Sequence, residues 1–87
     1  MLSLAITLNL DTSMNVLVQT YPAPGHAHLP PNLKLLMMSE TGDRLQEVCS
    51  REQDNYIQLK HFRGEAGDSF DIQVRLDHVS ITESFVL

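Results

Sequence analysis

From Phe70 to Leu76 the chain reads Phe-Asp-Ile-Gln-Val-Arg-Leu, apolar and polar in strict alternation. A period of two suits a β-strand with one face on a core and the other in water, and it excludes an amphipathic helix over the same residues. Val79, Ile81, Phe85 and Leu87 follow closely, so the last eighteen residues of the chain read as a paired hairpin. At the other end Leu2, Leu4, Ile6, Leu8 and Leu10 alternate with Ser3, Ala5, Thr7 and Asn9, a first strand with its apolar side chains on the even positions. No segment sustains helical periodicity beyond about one turn.

The intervening segments fit the same scheme. Asp11-Thr12-Ser13 is a turn cluster, and Met14, Val16 and Val18 begin a second strand that runs to Thr20 and forms a hairpin with the first. Tyr21 to Pro31 holds all four prolines of the chain. Proline has no amide hydrogen for a sheet ladder, so this stretch is an extended connection between two sheets. Leu33 to Met38 is apolar on both faces except at Lys34, as in a strand covered on both sides. After the Glu40–Asp43 turn, Arg44 to Arg51 has a poor pattern that predicts an edge strand or a bulge. Tyr56 to Phe62 is a further strand with Ile57 and Leu59 inward, and Phe62 breaks its parity. Gly64 to Asp68 is a glycine-bearing loop leading to Phe70. The expected fold is a single all-β domain over residues 1–87, an immunoglobulin-like antiparallel β-sandwich of about seven strands at turn spacings of about 8–12 residues.

Composition restricts function more than it suggests one. Apolar residues make up 43% of the chain and aromatic residues only 6%, with no Trp, so the core is aliphatic. The formal net charge is −5 and the six basic residues are scattered, which argues against nucleic-acid and membrane-surface binding. No run is long enough to span a bilayer. The apolar N-terminal stretch has no basic residue before it and is interrupted by Ser3, Thr7 and Asn9, unlike a signal peptide. The one cysteine, Cys49, allows no internal disulfide, which points to a reducing, cytoplasmic setting.

Groups able to do chemistry are sparse. His26 and His28 could share one zinc or copper ion from an extended segment, but further ligands would have to come from Cys49, His61 or His78, and no zinc spacing is present. Asp68, Asp71 and Asp77 sit around one strand without a calcium-loop pattern. Cys49 is expected as a half-buried structural thiol. No nucleophile elbow or phosphate loop frames the Ser, His and Asp residues, and no spacing joins Glu47 to Glu83. The chain is therefore read as a non-enzyme with no catalytic residue, cofactor or metal. The candidate interaction surface comprises Tyr21, Tyr56 and Phe62, together with Leu36 and Met38, whose apolar side chains, like that of Leu17, fall on faces that simple alternation leaves wet.

Several strand ends carry a further pattern: Tyr21-Pro22, Leu29-Pro30-Pro31-Asn32-Leu33-Lys34-Leu35, Asp54-Asn55-Tyr56-Ile57-Gln58-Leu59, Gly64 to Phe70, and Ser80-Ile81-Thr82-Glu83-Ser84-Phe85-Val86-Leu87. In this order they resemble the C-terminal region of a cyanobacterial family known as domain of unknown function 1822, over essentially the whole chain. The closing segment and Leu-Pro-Pro are the most specific parts. The resemblance implies a cytoplasmic bacterial protein, a domain that follows a longer N-terminal region, and no established enzymatic activity. Gene neighbourhoods of the family imply a regulatory or adaptor role. The expected function is a non-catalytic protein-interaction module that docks a protein partner or its own N-terminal region, as a monomer or weak homodimer. The alternative is a carbohydrate- or small-ligand-binding sandwich using Tyr21, Tyr56 or Phe62.

Overall fold

The computed structural model describes all 87 residues. It contains eight strands and no helix: β1 Leu2–Leu8, β2 Met14–Thr20, β3 Lys34–Ser39, β4 Arg44–Cys49, β5 Ile57–Gln58, β6 Phe62–Gly64, β7 Ser69–Leu76 and β8 Val79–Val86. All pairings are antiparallel. One sheet runs β1-β2-β5, with β6 also on β2, and the other runs β4-β3-β7-β8. The sheets pack face to face as a β-sandwich. Val16, Val18 and Ile57 from the first meet Leu35, Met37, Phe70 and Ile72 from the second. Burying these side chains drives the packing, at about 25 cal/mol for each Å² of apolar surface removed from water.

The expected strand over Tyr56–Phe62 forms as two short pieces, which is why eight strands appear. Leu59 keeps its N–H on the Val18 carbonyl at 3.0 Å. At Lys60 the backbone leaves β2 and turns to the Gln46 side chain of β4, which accepts from Lys60 N–H at 2.9 Å and donates to its carbonyl at 3.3 Å. That detour shifts the parity, so Phe62 returns to the inner side and packs edge-on against Phe70 at 5.2 Å between ring centroids. β4 is an edge strand with a register shift that leaves Leu45 as the extra, exposed residue.

Three loops hold the sandwich in register. In the β1–β2 turn, Asp11 Oδ1 accepts from Ser13 N–H at 3.1 Å and Ser13 Oγ–H at 2.6 Å. The proline loop is tied down by buried Leu29, whose N–H reaches the Asp54 carbonyl at 2.8 Å, and by buried Ser50. Ser50 Oγ donates to the Pro30 carbonyl at 2.6 Å and accepts from Leu33 N–H at 2.9 Å. At the C-terminus Gly67, with φ +93°, donates to Leu87 O at 2.8 Å while Leu87 N–H bonds Asp68 O at 2.9 Å. This is the bulge geometry in which glycine supplies the left-handed residue. Leu87 then lies against Gly64, where an added Cβ would overlap its side chain.

The two flanks of the sandwich differ. On the β4/β5 side the Gln46–Lys60 bonds tie one sheet to the other. On the other side β1 and β8 are the outermost strands of their sheets.

Candidate interaction surface

Position within the sandwich divides the candidate residues. Leu36 and Met38 lie on the outer face of the β4-β3-β7-β8 sheet. Leu36 is only 4% exposed, with Lys34 and Met38 beside it along β3 and Glu47 and Gln73 opposite it across the sheet. Met38 and Leu17 are half-buried. Most of the apolar excess that alternation left wet is thus covered within one copy of the chain. Phe62 is half-buried against the core.

Tyr21 and Tyr56 come together on the outer face of the other sheet. Their rings are 6.1 Å apart at an interplanar angle of 32° and are 40% and 48% exposed. Gln19 accepts from the Tyr21 hydroxyl at 2.5 Å and donates to Gln58 at 2.8 Å, so two amides border the aromatic pair. Beside Tyr56 an open cleft of about 390 Å³ runs along the β4–β5 seam past Cys49, Arg51, Asp54 and Asn55. Cys49 is exposed here, not half-buried as its apolar neighbour Val48 suggested. The reason is that β4 is an edge strand and Cys49 points outward while Val48 packs inward.

The remaining polar groups serve local structure. Asp68 Oδ2 accepts from Glu65 N–H at 2.9 Å, and Asp71 accepts from Ser84 Oγ–H at 2.7 Å. Asp77 occupies the two-residue β7–β8 turn at φ +54°. Glu47 pairs with Arg44 on β4, at the opposite edge of the sheet from Glu83 on β8. His26 and His28 are exposed in the proline loop, and no three His, Cys, Asp or Glu side chains gather as a metal-binding group. Asp11 has a displaced titration. The two hydrogen bonds from Ser13 hold its carboxyl below the usual range, and Arg63 beside it acts in the same direction.

Most of the exposed large apolar side chains lie elsewhere, several on positions that alternation alone assigned to the core. Of ten exposed large apolar or aromatic side chains, Ile6, Leu8, Val79, Ile81 and Val86 belong to β1 and β8, and Met1 and Leu10 flank β1. Ile6 and Leu8 share their face of β1 with half-buried Leu2 and Leu4, and Val79 and Ile81 share theirs with Phe85. They line the inner faces of the two sheets where the sandwich is open. The backbone is open there too. Met1 and Asn9 bond β2 through Tyr21 N–H and Ser13 O, so alternation turns the N–H and C=O groups of Leu2, Leu4, Ile6 and Leu8 away from it. By the same alternation from Leu87, the groups of Ser80, Thr82, Ser84 and Val86 point away from β7. The signal available in the sequence is charge: β1 has no charged residue and β8 has only Glu83, whereas β4 has Arg44 and Glu47.

No curated protein and no solved structure matches the chain. One family model does, that of "Protein of unknown function (DUF1822)", over residues 1–86. With nearly its whole length matched, the chain belongs to the DUF1822 family.

Proposed function

We propose that this domain is a non-catalytic protein-interaction module that docks through its β1/β8 flank. The observation behind the reading is the concentration of exposed apolar side chains, Ile6, Leu8, Val79 and Ile81, beside two unpaired and nearly uncharged edges. Folded proteins ordinarily protect such edges with charge, proline or bulges. β4 has a bulge and charges, and the β5/β6 edge is interrupted. β1 and β8 keep unbroken registers with their neighbours. An added strand would gain main-chain hydrogen bonds from the edge and apolar contact from the inner face. The strand order also suits the immunoglobulin-like arrangement expected from the sequence. The family resemblance supports the wider setting: a C-terminal domain of a cyanobacterial regulatory protein, working in the cytoplasm.

The Tyr21–Tyr56 pair supports a second reading, a carbohydrate-binding face in which rings stack on a sugar and Gln19 and Gln58 supply hydrogen bonds. Two double variants separate the readings in pull-downs with the folded domain as bait. Docking at the flank predicts that Ile6→Arg/Ile81→Arg loses the captured protein and Tyr21→Ser/Tyr56→Ser keeps it. The opposite result refutes the docking surface. Amide shifts at Gln19 and Gln58 on titration with an oligosaccharide panel would favour the second reading.

A further inference from the structure

We infer that the occupant of the β8 edge is a second copy of this chain, added antiparallel about a two-fold axis at Thr82; the inference rests on the docking reading above. β8 pairs with β7 from Val79 to Val86 without a bulge, has no proline or lysine, and is exposed along most of its length. On its outer face stand the short side chains of Ser80, Thr82 and Ser84, which do not hinder an approaching strand. Two already have partners within the sheet, Thr82 with Gln73 at 3.0 Å and Ser84 with Asp71 at 2.7 Å.

The register follows from three conditions. First, inner faces must continue into inner faces, so odd-numbered residues meet odd-numbered ones. Second, the free backbone groups lie on even-numbered residues, so these form the hydrogen-bonded pairs. Third, Glu83, the only charge on β8, must not face its own copy, since like charges directly opposite are destabilising. Centring the axis on Glu83 breaks the third condition. Centring it on Ile81 satisfies all three but overlaps fewer residues of the two strands. Centring it on Thr82 aligns Val79 through Phe85 with Phe85 through Val79. Thr82 then meets Thr82, Ser80 meets Ser84, and Glu83 meets Ile81 of the second copy. The β4-β3-β7-β8 sheet would continue across the axis, and exposed Val79 and Ile81 of both copies would lie on one continuous face. A contact of one strand pair is small, so the dimer belongs to the weak, concentration-dependent class.

The axis residue provides the test. Thr82→Lys and Thr82→Glu place like charges face to face across the two-fold when each variant is alone, and opposite charges when the two are mixed. Sedimentation velocity is run from about 10 μM to about 1 mM, the range of a weak association. Circular dichroism confirms that each variant is folded. The expected result is a wild-type monomer–dimer equilibrium, loss of dimer for either variant alone, and its return in the equimolar mixture. A wild-type chain that stays monomeric throughout, or variants that dimerise as well alone as mixed, overturns the inference. So do open-ended assemblies, which would show β8 meeting β1 of the next copy. If the wild type is monomeric while Ile6→Arg/Ile81→Arg still abolishes capture of another protein, the second copy is refuted and the docking surface stands. If that variant has no effect on capture or on self-association, the docking surface itself is refuted.

Discussion

Ser50→Ala removes one hydroxyl and should disable the anchor of the proline loop. The prolines of Tyr21–Pro31 take four N–H donors out of the segment, so its attachment depends on a few bonds. Ser50 is 3% exposed and satisfies two backbone groups at once, the Pro30 carbonyl at 2.6 Å and Leu33 N–H at 2.9 Å. Without the hydroxyl, Leu33 N–H is left buried and unpaired, which costs about 1–3 kcal/mol, and the bond to Pro30 adds about 0.5–1.5 kcal/mol. Pro30 itself is exposed, so water can take over at its carbonyl and the total falls near 2.5 kcal/mol. With 87 residues at about 2.1 cal/mol/K each, the unfolding entropy is about 0.18 kcal/mol/K and Tm should drop by about 14 °C. Thermal melts by circular dichroism measure this, with urea titrations to check that the m-value is unchanged. Ser80→Ala, on an exposed strand edge, is the control and should stay within about 0.5 kcal/mol of wild type. A drop in Tm for Ser50→Ala below about 4 °C, less than about 1 kcal/mol for a domain of this size, would refute the anchoring argument.

Thr20 Oγ1 is buried in the core with no hydrogen-bond partner, so Thr20→Val should stabilise the fold by about 1 kcal/mol, raising Tm by about 4–8 °C; a lower Tm would mean that the hydroxyl is satisfied by a water. Asp11 has its folded carboxyl below the unfolded value of about 3.9, so its contribution is present above that value and is lost as pH falls through the folded one. The urea midpoints of wild type and Asp11→Asn should therefore differ at neutral pH and converge in acid, and a gap independent of pH would contradict the assignment. Removing Phe85 to Leu87 deletes the ring stacked on Phe70 at 5.5 Å and the backbone bonds of Leu87 to Gly67 and Asp68. The shortened chain should show no cooperative melt, and a sharp transition would refute the closing role of this segment.

Much of the architecture was legible in the residues because a half-buried strand writes its burial into alternate positions. The hairpins β1–β2 and β7–β8 follow from Leu2 to Leu10 and Phe70 to Leu87, and the doubly apolar Leu33–Met38 segment forms β3, which is central to its sheet. The irregularity read in Arg44–Arg51 became the bulge of β4. The division of Tyr56–Phe62 into β5 and β6 was not legible in detail, because it depends on Gln46, fourteen residues from Lys60 and on the opposite sheet.

The candidate surface was harder to read for the same reason. Period two distinguishes the two faces of a strand, but it does not say whether another sheet covers the inward one. By itself the sequence determined that Ile6, Leu8, Val79 and Ile81 share their faces with core side chains, and that β1 and β8 carry almost no charge. The tertiary structure decided that these faces stay exposed, that Leu36 is covered, and that Tyr21 meets Tyr56 across two strands. Coverage is a property of which strands end up outermost and where the opposing sheet stops. Those depend on contacts between residues far apart in the chain, which no local pattern encodes.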